Sequence, residues 1–241
     1  MSREPKVLSF DVVGTLIDFE GGMLNYIRAE CGPAGAAIDA EKFLEEYRIT
    51  RADHKTFRYP DDLARGYHLI AKAMGLPDSQ ALADGFVQSV RNWPAFPDSV
   101  DALRRLAARY KLVAMTNAQR WALNWMEQTL GKPFYDTVTV DDALCEKPDP
   151  KFFAFTRGRL SRDGYLADDI LHVAQSQYHD IGVARSLGYT VCWIERRKGQ
   201  PGFGGTIAVE TLTKPDYHFA SLAELADLAE SGGLKMLHSV H

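Results

Sequence analysis

The second half of the chain alternates short apolar, β-branched runs with stretches of helical period, and this alternation admits few folds besides a parallel sheet wrapped by helices. Residues 6–10 (KVLSF), 111–115 (KLVAM), 137–140, 170–174 (ILHVA), 190–194 (TVCWI) and 217–219 read as strands. Residues 98–110 place Val100, Leu103 and Leu106 on one helical stripe. Residues 221–229 begin on a Ser N-cap with Glu224 three residues on, the pattern of a capping box.

One connection is far longer than the topology requires. A right-handed crossover between parallel strands needs about a dozen residues, yet residues 11–110 separate the first strand from the second. No strand pattern interrupts 18–94, only amphipathic stretches at 24–29, 40–51, 61–74 and 81–92. The expected fold is therefore α/β: a Rossmann-like parallel-sheet core from residues 1–17 and 95–232, a helical cap inserted at 18–94, and a tail at 233–241. Ligands of such sheets bind outside the carboxyl ends of the strands, so a cap emerging from that edge would roof the crevice.

Composition narrows the classes of function. The 241 residues, 46% hydrophobic and 25% charged, suffice for one sizeable core and a smaller second lobe. A net charge of -4 without a basic block argues against a nucleic-acid partner. No run of about 18 apolar residues occurs, and the opening MSREPK leads into only a short apolar run. The chain thus reads as soluble and cytoplasmic, with no membrane partner. Cys31, Cys145 and Cys192 are odd in number and far apart, which suits buried apolar residues better than a disulfide framework or a zinc site.

Four polar segments follow expected strands, and the topology should bring them to one edge of the sheet. They are Asp11-Val-Val-Gly-Thr15, Thr116-Asn117, Lys147 within Glu146-Lys-Pro-Asp-Pro150, and Gln175-Ser-Gln-Tyr-His-Asp180. Singly, each has a structural reading: Asp11 as a turn residue, Asp180 as the N-cap of a helix over 181–187. As an ordered set, FDVVGTL, MTN, EKPDP and the segment ending HDIGVARSLG, they resemble the four motifs of the haloacid dehalogenase superfamily over roughly residues 6–200. The resemblance implies Asp11 as nucleophile, Thr116 as the group orienting the acceptor, Lys147 as the cation neutralising the anionic cluster, and Asp180 as the motif-four carboxylate. A carboxylate attacks well when held in line with its electrophile and partly desolvated, with a cation nearby to keep it ionised.

Two departures choose among branches of that superfamily. Members that transfer phosphoryl groups usually carry a second Asp two residues after the nucleophile, as general acid; this chain has Val13. They also carry a carboxylate pair in motif four for Mg²⁺, and Gln175 stands where the first Asp would be. A leaving halide needs neither a proton nor a metal. The sequence is similar to the L-2-haloacid dehalogenase branch, which implies a cofactor-independent reaction on a small 2-haloacid. Asp11 would displace halide from C2 with inversion, and water would hydrolyse the resulting ester to the 2-hydroxy acid.

The same resemblance implies a cap Arg that, with Asn117, receives halide or substrate carboxylate. Arg48 and Arg51 are the candidates, Arg48 aligning slightly better, and a guanidinium suits a carboxylate bidentately. Val12, Ser176, and the Gln175 and Gln177 that stand in place of the branch's Ser and Asn complete the expected binding set. His179, oriented by Glu20, is a candidate for activating water. Phe57 or Tyr59 would line the pocket from the cap, and Trp121 and Trp125, four apart, read as core or interface anchors. Helix stripes often mediate dimers in this family, which admits a homodimer. Two other functions stand beside the first: a Mg²⁺-dependent phosphatase on the same scaffold, and a non-catalytic small-anion-binding protein.

Overall fold

The computed structural model describes residues 3–51 and 58–237. Six strands, β1 (Val7–Phe10), β2 (Lys111–Met115), β3 (Asp136–Val138), β4 (Ile170–Ala174), β5 (Thr190–Ile194) and β6 (Tyr217–Phe219), form one sheet in the order β3-β2-β1-β4-β5-β6. Every pairing is parallel, and Val7 lies opposite both Lys111 and Ile170. The chain winds from β1 out to β3, then returns to β4 on the other side of β1. Its topological switch point therefore falls between the carboxyl ends of β1 and β4. β3 stops at Val138 because Thr139 turns away to cap a short helix.

Between β1 and β2 lie α1 (Phe19–Glu30), α2 (Gly32–Ala36), α3 (Ala40–Arg51), α4 (Leu63–Met74) and α5 (Gln80–Gln88), followed by a 3-10 turn at Ser89–Asn92. Asp18 caps α1 by accepting from Gly21 N, so this helix begins ahead of the apolar stretch that betrays it in the sequence. The later helices are α6 (Ser99–Ala107), α7 (Arg120–Thr129), α8 (Val140–Ala143), α9 (Pro150–Arg162), α10 (Gly182–Ser186) and α11 (Leu222–Glu230).

β1 and β4 are buried throughout, as a parallel sheet covered on both faces demands. Leu8 and Phe10 point into one apolar cluster with α6 and α11, and Val7 into another with Phe152, Phe153 and Leu160 of α9. The first cluster runs on without a break into the inserted helices, through Phe19, Tyr47, Tyr67, Phe86 and Trp93.

Several expectations need correction. Val100 is 45% exposed, and the buried stripe of α6 is Ala102, Leu103 and Leu106. Asp180 is not an N-cap: Ser176 Oγ accepts from His179 N and opens a π turn, Gln177–Ile181, that runs into α10. The expected tail packs as far as Leu237, with Leu234 and Met236 buried and Met236 N donating to Arg3 O (2.7 Å). Phe57 and residues 238–241 lie outside the described residues. Cys31 and Cys192 are buried free thiols, and Cys145 is half-buried.

Candidate active site

Asp11 leaves the end of β1 with its N–H donating to Val173 O of β4 (3.0 Å), so the turn is pinned across the switch point. Gly14, at φ 88°, takes a left-handed conformation that favours glycine and sends the chain back on itself. Thr15 then donates through Oγ1 to Asp11 Oδ2 (2.7 Å) while accepting from Gln175 N (2.8 Å). One hydroxyl ties the first motif to the fourth.

Lys147, only 2% exposed, commits its ammonium to three acceptors: Asp11 Oδ1 (2.9 Å), Asp180 Oδ1 (2.6 Å) and Met115 O (2.7 Å). Asn117 holds the segment that delivers it, its Nδ2 donating to Lys147 O (2.8 Å) and its Oδ1 accepting from Lys147 N (2.7 Å). Thr116 Oγ1 accepts from Ala118 N (3.1 Å) at the mouth of β2.

Two buried carboxylates share this one cation, and their proton affinities diverge. Burial raises the pKa of Asp11, against the pull of Lys147, and the negative charge of Asp180 raises it further. Burial would raise Asp180 too, but Lys147 and a second donor, His172, outweigh it and hold that carboxyl down to about 2. Lys147 pays desolvation as well, yet its two carboxylates more than offset this and raise its pKa.

His172 belongs to none of the four motifs. It stands in β4, where its Nε2 is 3.0 Å from Asp180 Oδ1 and its Nδ1 is 2.9 Å from Ser9 Oγ on β1. A histidine inside the otherwise apolar run ILHVA was the available signal. Asp180 Oδ2 is buried with no hydrogen-bond partner among the described residues.

Above this floor is a cavity of about 90 Å³. The sheet edge contributes Asp11, Val13, Thr116, Asn117, Lys147, Gln175, Ser176, His179 and Asp180; the inserted segment contributes Phe19, Tyr47, Arg51 and Tyr59. Gly205, Thr206 and Ile207, from the segment after β5, close the remaining side, and no sequence motif pointed to them.

Of the two candidate arginines, Arg51 reaches the cavity, paired with Asp62 and with its guanidinium 5.1 Å over the Tyr59 ring. Arg48, the better-aligned candidate, instead donates to Gly204 O. Tyr47 and Arg51, one helical turn apart on α3, both face the cavity, and Arg48 projects to the side of that stripe. Val12 is also not at the cavity: its side chain is fully buried in the core, and Val13 faces the opening. Gln177 turns away to Thr213, accepting from its N (2.9 Å) and donating to its O (3.4 Å). Gln175 stays at the cavity, its Oε1 accepting from Thr206 Oγ1 (3.2 Å).

The expected pairing of His179 with Glu20 is replaced by another. His179 lines the cavity with Nδ1 3.1 Å from Ser176 Oγ. Glu20 accepts from Arg197 Nη1 (2.6 Å) and Gly205 N (2.7 Å), and its pKa is raised by burial. Farther off, Trp121 packs against the core and Trp125 is 40% exposed, with the Arg91 guanidinium 5.8 and 5.4 Å from their rings.

Among the described residues no group of three or more His, Cys, Asp or Glu side chains is placed to hold a metal ion. Nor, among them, is any helix long and apolar enough to cross a membrane.

A family model of haloacid dehalogenase-like hydrolases matches residues 5–188. The chain is 26% identical over 228 residues to an (S)-2-haloacid dehalogenase of Pseudomonas putida, covering 90% of this chain and 93% of that protein. Its fold matches an L-2-haloacid dehalogenase of Xanthobacter autotrophicus with a TM-score of 0.72 at 20% identity, over 94% of this chain and 99% of the other. It also matches a magnesium-bound form of the HAD-hydrolase YfnB of Bacillus subtilis, with a TM-score of 0.74 at 18% identity, over 95% and 100% of the two chains. Fold alone does not choose between metal-dependent and metal-independent chemistry.

Proposed function

The chain belongs to the haloacid dehalogenase-like hydrolases, and on that premise we propose that it converts short L-2-haloalkanoic acids to 2-hydroxy acids through an ester on Asp11. The observation that carries this reading is the pair Val13 and Gln175, both lining the cavity with Asp11. Gln175 puts a neutral amide at the cavity where a Mg²⁺ site would need a second carboxylate, and Val13 offers no acid to protonate a leaving alkoxide. These residues do not fit Mg²⁺. Halide departs without either aid.

In this mechanism residues 18–94 act as a cap, and Arg51 takes the substrate carboxylate from above. Lys147 and Thr15 hold the two oxygens of Asp11, which keep lone pairs for attack. An Asp11 oxygen bonds to C2 as the carbon-halogen bond breaks, and the halide leaves with the bonding pair. Water then adds to Asp11 Cγ, releasing the 2-hydroxy acid and restoring the carboxylate. Asp180, whose Oδ1 accepts from Lys147 and lies 3.0 Å from His172 Nε2, holds Lys147 in place. His179, which lines the cavity, takes the water's proton. If its Nδ1–H donates to Ser176 Oγ, Nε2 is the basic nitrogen.

The test is halide release from chloroacetate and from L- and D-2-chloropropionate in excess EDTA, for wild type and Asp11→Asn. We expect release from chloroacetate and the L isomer alone, and none from the variant. Release that requires added Mg²⁺, or that survives Asp11→Asn, overturns the reading. In His179→Asn the Asp11 ester should accumulate during a single turnover; an ester that hydrolyses at the wild-type rate removes His179 from the second step.

A further inference from the structure

The segment joining β5 to β6 contains the Gly-rich stretch GQPGFGG, residues 199–205, a feature that the chemistry above does not use. It is nonetheless tied down on several sides. Arg197 donates to Glu20 Oε2 (2.6 Å) on α1 and to both carboxylate oxygens of Glu41 (2.8 Å) on α3. Glu20 Oε1 accepts from Gly205 N (2.7 Å), and Arg48 donates to Gly204 O. Gln177 and Thr213 exchange two hydrogen bonds farther along, and Thr206 Oγ1 donates to Gln175 Oε1 (3.2 Å). Arg48, Glu20 and Gln177, each expected at the chemistry, all hold this segment instead.

The glycines let it come close. A Cβ on Gly204, which has φ +55°, would collide with the Glu20 carboxylate; one on Gly205 would come within 2.8 Å of the Phe19 ring and 3.2 Å of Tyr47. The backbone is thereby pressed against the inserted helices, and Thr206 and Ile207 face the site cavity. Behind Thr206 lies a second cavity of about 260 Å³, which shares Phe19, Gln175 and Thr206 with the first. The bonded Thr206–Gln175 pair is a partition with space on both sides.

We propose that Thr206 and Ile207 form a fixed wall that restricts substrates to acetate- and propionate-sized 2-haloacids, and that the space behind Thr206 would admit longer tails if it were opened. The inference rests on the dehalogenase reading. At about 90 Å³ the site cavity is the smaller of the two, against about 260 Å³ behind the partition, so added methylenes have to pass it.

The experiment measures kcat/KM for chloroacetate and for L-2-chloropropionate, L-2-chlorobutyrate and L-2-chlorohexanoate, in wild type, Thr206→Ser, Thr206→Ala and Ile207→Ala. Wild type should favour propionate over hexanoate by about 100-fold or more, since a methylene that a pocket cannot place costs about 10–200-fold. Thr206→Ala and Ile207→Ala should each narrow that ratio by about tenfold, whereas Thr206→Ser, which keeps the hydroxyl, should preserve it. Ile207 is half-buried, so its truncation tests the wall even if the Thr206 variants fail to fold. Equal wild-type rates along the series, or a ratio unmoved in both Ala variants, overturn the wall while leaving dehalogenation intact. Absence of halide release from every substrate by wild type removes the dehalogenase reading and this inference with it.

Discussion

The floor of the pocket and its roof manage charge differently. On the floor a single ammonium serves two carboxylates, and Lys147, Asp11 and Asp180 are all buried. On the roof each guanidinium has a local partner: Arg51 has Asp62, Arg48 has Gly204 O, and Arg197 has Glu20 and Glu41. The floor is assembled from strand ends held in register by the backbone ladder. The roof is assembled from side chains on α1, α3 and the segment after β5. A change on the floor therefore strands a buried charge, whereas a change on the roof disturbs recognition first.

Lys147→Met puts the greatest strain on this contrast. It leaves Asp11 and Asp180 buried with no cation between them, at a cost of about 3–5 kcal/mol. For a chain of this size that lowers Tm by about 2–4 °C for each kcal/mol, and halide release should vanish. Thermal melts of Lys147→Met and of Lys147→Met with Asp180→Asn check it: the second substitution should recover stability without recovering activity. A Lys147→Met protein that melts with wild type would show that the floor is not held by its shared charge.

The roof should respond in KM. Arg51→Ala removes a charged donor from the cavity, worth about 1.5–3 kcal/mol, so KM for L-2-chloropropionate should rise about 10–100-fold with kcat less affected. Arg48→Ala, which loses only a bond to Gly204 O, should stay within about threefold. Steady-state kinetics of the two variants decide the matter, and the opposite ranking would move recognition from Arg51 to Arg48.

The contrast also explains what could be read from the sequence. The strand runs were legible because a covered parallel sheet needs short apolar, β-branched segments, and the polar residues just beyond them have little freedom once the strand order is set. Asp11, Thr116, Lys147 and Asp180 therefore come together from positions a simple topology relates. Arg48 and Arg51 share a helix face, so periodicity could not separate them; only the placement of α3 over the sheet does. Glu20 lies near Asp11 in sequence yet is drawn off by Arg197, a partner 177 residues away. Thr206 and Ile207 belong to no periodic pattern, and their position follows from glycine contacts that exist only after folding. His172 was visible as a polar residue in an apolar strand, but its partners, Ser9 and Asp180, become neighbours only when β1 and β4 pair.

The smallest effect gives the finest separation of floor from roof. In the proposed mechanism attack requires ionised Asp11, whose pKa in the folded chain is raised by burial, so kcat/KM should fall with decreasing pH sooner than for an ordinary aspartate. Asp180, held down to about 2, stays ionised over the same range, so the acid limb should show a single ionisation. Thr15→Val removes the hydrogen bond that favours the charged form of Asp11, and the limb should move to higher pH while the rate at neutral pH changes little. Arg48→Ala touches only the roof and should leave the limb where it is. Profiles of kcat/KM against pH for the three proteins make the comparison, and a limb that moves in Arg48→Ala but not in Thr15→Val would place control of the nucleophile's charge on the roof.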